Sequence, residues 1–386
     1  MSASACIVSV VRPALDVRTY HKEARSLAAA GWDVTVIGRD PGPPRVVDGI
    51  RILPLRTAHG AGRALAQVRA LRLALGTRAD VYHVADLELL PAALLLKRTR
   101  RPIVYDCIED YPAYMHLKPW LPPRARPVAA AAVARLERFV TARLDAVLTA
   151  DEGTAERLRR WQPATIVLHN FPRRTDFAPA PPEARRPLDV LYHGSLPAYH
   201  LEALVEIGRR LARRVPDFRC SIVGEPDSAR AWAEFAEGLA RHGLNGRMTL
   251  RPRVPFRQVP ALLGLARTGV VPLPDVAKFR TNVPMKLFEY LAAGVPVVTS
   301  DLPPARRLLE GSDAAVLVPP GDHDAFADAL ARLVRDPGAA AALARRGLEL
   351  VRERCHWERE EAMLLRVYGD LLCGPGVASL AAAMQA

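Results

Sequence analysis

The sequence predicts an α/β chain of two doubly wound, mostly parallel sheets, one per domain. Three observations carry this. Short β-rich apolar runs alternate with helical periodicity along nearly the whole chain, the pattern of βαβ units. The alternation breaks once, at Pro172–Pro187, a proline- and charge-rich stretch with little periodicity that reads as a linker. And 386 residues exceed what one ordinary core organises, fitting two domains of roughly 180 residues each.

Before the linker, strands are expected at Cys6–Val10, Asp33–Ile37, Val81–Val84, Ile103–Tyr105, Ala146–Thr149 and Thr165–Leu168. Arg18–Ala30 has helical spacing and meets a stop at Gly31. After the linker the series resumes at Asp189–His193, Cys220–Val223, Met248–Leu250, Gly269–Leu273, Val295–Thr299 and Ala315–Val318, and the tail from Asp324 is helical. Two such Rossmann-like halves place a ligand where strand carboxyl ends face each other. The division expected is 1–172, 188–356 and a final helix over 357–386.

Composition narrows the function classes. Half the residues are hydrophobic and a quarter charged, which is globular composition. The longest apolar run, Leu87–Leu96, contains Glu88 and Pro91 and does not suit a membrane span. No secretory signal pattern opens the sequence, and Cys6, Cys107, Cys220, Cys355 and Cys373 are scattered without a CxxC pair. The expectation is a cytoplasmic protein with no structural zinc. A net charge of +13 with only five lysines among 54 basic residues, and no basic-aromatic motif or finger, argues against nucleic acid. Anionic nucleotides and an anionic membrane surface are the better partners.

Three stretches carry candidate chemistry. Gly194-Ser195-Leu196 follows a strand and precedes a helix, where a glycine lets backbone approach a phosphate near a helix N-terminus. In Asn282–Val298, Pro284 suits a first helical turn and Gly294 a stop. Lys286 and Glu289 share one face of that helix, suiting a diphosphate and ribose hydroxyls, or forming a plain surface salt bridge. His83 and Asp86 end one strand, and Asp106, Glu109 and Asp110 end another, where open parallel sheets keep their sites. Each could equally be a helix cap, a counter-ion or a core imidazole.

Together these stretches resemble the family-4 retaining glycosyltransferases of GT-B fold, in the branch of bacterial polysaccharide and secondary-metabolite enzymes. The resemblance runs through Asp16-Val17-Arg18 with His21–Ala24, Val81–Pro91, Tyr105–Pro112, His169–Pro172, Lys286–Pro296 and His356-Trp357-Glu358. It implies two Rossmann-like domains with a cleft between them and a C-terminal crossover helix. It implies that Glu289 holds the donor ribose. Gly194, Ser195, Asn282, Met285 and Lys286 would surround the diphosphate, with Arg253 and Val254 beside the base. Asp16, Arg18, His83, Asp86 and Asp110 would serve the acceptor, and Asp106, Glu109 and Lys286 the reaction. No metal or cofactor is implied. The leaving phosphate would help deprotonate the acceptor, so the resemblance implies no protein nucleophile. The function implied is transfer of a sugar from a nucleotide-diphosphate sugar to a hydroxyl of a lipid-linked saccharide or a secondary metabolite. Alternatives are a pseudo-glycosyltransferase coupling a nucleotide-linked cyclitol to an amine, and an inactive nucleotide-sugar-binding partner.

Departures from the family pattern sharpen the expectations. Thr281 stands where a sugar-holding Glu is common, and Ser195 and His200 stand for an Arg and a Lys. Ile108 replaces a His expected to face a sugar hydroxyl, which predicts a deoxygenated or modified donor sugar. Tyr111, Tyr114, Met115, Leu117 and Trp120 lie beside Lys118, Arg124 and Arg126, a candidate peripheral membrane contact.

Overall fold

In a computed structural model the described residues are 2–56, 62–179, 186–373 and 376–383. The chain divides into two units, one of Met1–Asn170 with Glu358–Ala386, the other of Phe171–Trp357. Part of the expected linker, 180–185, lies outside the described residues.

The first unit holds an eight-stranded sheet: β1 (Ser4–Pro13), β2 (Asp33–Arg39), β3 (Arg45–Val47), β4 (Ile50–Leu55), β5 (Val81–Val84), β6 (Ile103–Cys107), β7 (Ala146–Thr149) and β8 (Thr165–Val167). Its order is β3-β4-β2-β1-β5-β6-β7-β8, parallel throughout except for β3 against β4. That hairpin was not expected. It turns at Asp48 (φ +52°) and Gly49 (φ +79°), the left-handed pair a two-residue hairpin requires. The core packs Val8, Ile37, Tyr82, Leu90, Tyr105 and Val147 between sheet and helices.

The expected Arg18–Ala30 helix is present, but its first part is not α-helical. Thr19–Ala24 is wound with i→i+5 bonds such as Glu23 N–H to the Arg18 carbonyl (2.9 Å), and only Arg25–Ala29 is α-helical. The wider winding brings residues five apart to one side, so Arg18 and Glu23 reach the same buried cluster. There Arg18 Nε and Nη2 donate to Asp106 (2.7–3.0 Å), Nη1 donates to the Leu168 carbonyl (2.8 Å), and Nε lies 3.0 Å from Glu23. Burial opposes the Arg18 charge, but Asp106 and Glu23 hold it on. Burial, then the neighbouring Asp106, push the Glu23 carboxyl well above the usual carboxylate range, with Arg18 opposing.

The second unit is built on β9 (Leu188–His193), β10 (Cys220–Val223), β11 (Met248–Arg251), β12 (Ala266–Val271), β13 (Val297–Ser300) and β14 (Val316–Val318). These form one parallel sheet ordered β11-β10-β9-β12-β13-β14. The order reverses between β9 and β12, the switch point at which such sheets open a crevice. The strands expected at Gly269–Leu273 and Val295–Thr299 lie one to three residues from those bounds. Beneath the sheet, Val190, Tyr192, Ile222, Val270, Val298 and Phe326 form the core.

Removing Arg18 would strand the Asp106 carboxylate in the interior. Arg18→Met is expected to cost about 3–5 kcal/mol. Urea unfolding followed by tryptophan fluorescence checks it, and an unchanged midpoint would make the cluster dispensable.

Candidate functional site

The carboxyl end of β9 and the helix Met285–Ala292 build a polar cluster in the second unit. This helix is seated by Tyr290, whose hydroxyl donates to the Leu191 carbonyl (2.7 Å) and whose ring lies over Gly269. A Cβ at Gly269 would approach that ring to 2.6 Å, so only glycine admits the contact. One turn earlier, Lys286 Nζ donates to the Tyr192 hydroxyl (2.7 Å) and sits 4.2 Å from that ring's centroid. Glu289 is buried, with His193 Nε2 at 3.4 Å.

Gly194 follows with φ +124°, a conformation that favours glycine. Its own N–H is spent on the Val223 carbonyl (2.9 Å), so this amide is not offered to a phosphate. What the glycine supplies is room, since a Cβ there would lie 3.0 Å from Lys286 Nζ. The Ser195 side chain is exposed, and it is the Ser195 carbonyl that accepts from Tyr192 (2.8 Å). His200 lies buried, its Nδ1 2.7 Å from the Tyr192 hydroxyl. Burial, then the nearby Lys286, lower both His193 and His200 to about 3, so neither carries charge at neutral pH. Burial brings Lys286 down to about 7, with Glu289 opposing and Lys278 reinforcing the shift. The cation near this turn is therefore Lys286, delivered from a different element than the usual Arg and Lys. It is no partner in a surface salt bridge, because its hydrogen bond goes to Tyr192 and the helix is buried from Leu287 onward.

The remaining donor candidates lie around this cluster. Asn282 and Met285 are half-buried at the approach to the helix, where the Asn282 N–H and the Thr281 hydroxyl both bond the Lys278 carbonyl. Exposed Arg253 and half-buried Val254 follow β11, two strand positions or about 10 Å from β9.

The candidates in the first unit all have partners within the unit. Asp106, expected in the reaction, is the fully buried counter-ion of Arg18, and Arg18, expected at the acceptor, is spent on Asp106 and Leu168. His83 is a buried imidazole, lowered to about 4 by burial, with Nδ1 2.8 Å from the Tyr368 hydroxyl. Asp86 accepts from the Ser9 hydroxyl (2.8 Å) and the Val10 and Val11 amides (2.5 and 3.0 Å), fixing the end of β1. Asp110 caps the helix Tyr111–Met115 through the Ala113 N–H (3.3 Å) and faces Arg157 at 3.6 Å. Asp16 accepts from the Arg18 and Thr19 amides (2.9 and 3.2 Å), while Ile108 and Glu109 are half-buried. Glu23, His83 and Asp106 bring ligand-type atoms within 4.8 Å of one another. With Arg18 already bound to both carboxylates, the group fits an arginine clasp better than a divalent metal.

Tyr192 and His193 were not singled out from sequence. A strand closing on two polar aromatics immediately before glycine was the available signal.

Two parallel-sheet units of this topology define the GT-B fold, and the comparisons agree. "Glycosyl transferase 4-like domain" matches residues 17–173 and "Glycosyl transferases group 1" matches 187–336. The chain belongs to the family-4 glycosyltransferases. It is 43% identical over 82 residues to a phosphatidyl-myo-inositol mannosyltransferase of Mycobacterium leprae, covering 21% of this chain and 22% of that protein. It is 29% identical over 235 residues to the protein of that name from Mycolicibacterium smegmatis, covering 58% of each. The matches thus span less than two thirds of these relatives. Among solved structures, sucrose-phosphate synthase from Thermosynechococcus elongatus superposes with a TM-score of 0.76 at 18% identity, covering 96% of this chain and 99% of that one. Anabaena HepE in complex with UDP and glucose gives 0.74 at 14% identity, covering 95% and 100%.

The Lys286 environment makes a stability prediction. Between about pH 7 and the ordinary 10.5, the unfolded chain holds this proton more readily than the folded chain. The ammonium therefore costs stability in full below pH 7, and the cost fades as the pH rises toward 10.5. Lys286→Met is expected to melt above wild type at pH 6.5 without nucleotide, with the gap closing by pH 10. Thermal melts across pH check this, and a constant gap would assign the change to packing alone.

Proposed function

We propose that this chain is a retaining glycosyltransferase that moves a sugar from a nucleotide-diphosphate sugar to a hydroxyl of a lipid-linked saccharide or a secondary-metabolite acceptor. The observation that carries the reading is the convergence of Lys286 and Glu289 on the Gly194 turn at the switch point of the second sheet. Lys286 and the N-terminus of its helix offset diphosphate charge, and Glu289 accepts from the ribose hydroxyls. The leaving phosphate takes the acceptor proton, so the protein's work is positioning and charge stabilisation without a bound metal or other cofactor. The HepE complex with UDP and glucose supports a nucleotide-sugar donor, and relatives named for phosphatidyl-myo-inositol support a lipid acceptor.

Further support for a lipid acceptor comes from one face of the first unit. The helices Gly62–Thr77, Leu90–Leu96 and Arg126–Thr141 follow successive crossovers in one direction, which right-handedness places on the same face of the sheet. Leu65, Val68, Leu75, Leu95, Val128 and Phe139 are exposed there among Arg69, Arg72, Arg98, Arg135, Arg138 and Arg143. Among the described residues of 62–143, no exposed residue is acidic. Such a surface suits a cytoplasmic enzyme resting peripherally on an anionic bilayer. The contact is thereby shifted from the expected aromatic set, of which Met115 is buried and Trp120 alone is fully outside at 69% exposure. Among the described residues no helix is long and apolar enough to cross a membrane.

Thermal-shift screening with UDP, GDP, ADP and dTDP and their sugars, followed by assay of donor hydrolysis in EDTA, tests the reading. Slow hydrolysis to free sugar is expected; binding without any turnover would favour the inactive-partner reading. Glu289→Ala is expected to weaken donor binding by about 2–3 kcal/mol and Glu289→Gln by less, measured by calorimetry. Flotation with anionic vesicles is expected to fall with salt and to be lost when Arg135, Arg138 and Arg143 are all replaced by Glu. Flotation indifferent to these changes would point to a soluble acceptor.

A further inference from the structure

We propose that Tyr192 is a positioning residue that holds the Lys286 amine over the Gly194 turn, and that an arriving nucleotide diphosphate protonates this amine with a proton drawn from solvent. The inference rests on the reading of this unit as the nucleotide-sugar site and adds a proton to its binding equilibrium.

The geometry fixes the amine in place. Tyr192 gives its own hydroxyl hydrogen to the Ser195 carbonyl (2.8 Å), leaving lone pairs for Lys286 Nζ (2.7 Å) and His200 Nδ1 (2.7 Å). Its ring lies beneath the same amine, 4.2 Å away, and Gly194 keeps the space above it clear. Among the described residues, no carboxylate comes within 4.0 Å of Nζ in an ion pair. The ammonium form is thus held without a contacting counter-ion.

The groups facing it from each neighbouring element agree. β9 contributes Tyr192, kept neutral by burial, and the neutral His193. The helix Ala198–Arg214 contributes Tyr199 and the neutral His200. Lys278, before the Met285–Ala292 helix, adds repulsion, and Glu289 one turn along adds attraction that does not overcome burial. A diphosphate set against the turn supplies the missing negative charge. The amine then binds one proton, and release of the nucleoside diphosphate returns it. Without the phenol, Lys286 is free to swing toward Glu289 on its own helix face.

The test is calorimetry at pH 8 in HEPES and in Tris, whose ionisation enthalpies differ, using whichever of UDP, GDP, ADP and dTDP binds tightest. Wild type is expected to take up close to one proton per nucleotide, and its affinity to fall about tenfold from pH 8 to 9. Lys286→Arg, permanently charged, is expected to bind with no uptake and a flat pH profile. Tyr192→Phe is expected to weaken binding about tenfold in wild type and to change nothing further in Lys286→Met, as coupled residues do. Nucleotide binding with equal enthalpies in the two buffers would overturn this inference alone. Uptake that persists in Lys286→Arg would overturn it too, moving the proton to an imidazole. Failure of every nucleotide to bind would remove the site reading on which it stands.

Discussion

The seating of Tyr290 on the second sheet is the contact on which the candidate site depends. Its ring occupies the space a side chain at Gly269 would need, and its hydroxyl is tied to Leu191. Those two contacts fix the depth and rotation of the helix Met285–Ala292 against β9 and β12. Lys286 and Glu289, four and one residues before Tyr290, then arrive at the end of β9 with little freedom. A glycine on the strand that precedes the helix therefore governs where a charge is presented.

The two units treat the ends of their strands in opposite ways. In the first, each buried charge meets a partner: Arg18 holds Asp106, Asp86 collects two amides and a hydroxyl, and Arg157 serves Glu137 and Asp110. These interactions offset the desolvation that burial imposes. In the second, two imidazoles sit neutral and one amine is held by a phenol. Polar groups at the strand ends are thus tied into charge pairs in the first sheet and into the Tyr192–Lys286 cluster in the second.

Most strands were legible because buried parallel strands read as short apolar runs bounded by turns. The β3–β4 hairpin was missed although Asp48-Gly49 is a strong turn signal, because Arg45, Arg51 and Pro54 within Arg45–Val47 and Ile50–Leu55 mask the alternation. The winding at Thr19–Ala24 was not legible, since a pattern of apolar spacing cannot separate i→i+4 from i→i+5 bonding over six residues. Lys286, Glu289 and Gly194 could be found from sequence because they lie within a few residues of recognisable helix and turn signals. Tyr192 and His193 could not be weighed the same way: their role comes from contacts with Lys286 and Glu289, about a hundred residues further on. The first-unit candidates were legible as polar strand ends, but whether such a group faces a ligand or a neighbour is decided by long-range pairs such as Arg18 with Asp106.

The first unit is also assembled from two separated pieces of chain. His83 bonds Tyr368, and the His169 amide donates to Glu360 at 2.9 Å, so part of its interior comes from residues beyond 357. During synthesis, Met1–Asn170 leaves the ribosome long before those partners exist, whereas Phe171–Trp357 is continuous and can close as soon as it is made. The unit translated first is then the one completed last, and for the time it takes to make the whole second unit it stands with His83 and His169 awaiting their partners. Pauses or truncation in the codons that follow Trp357 would therefore be felt in the unit that holds Met1–Asn170.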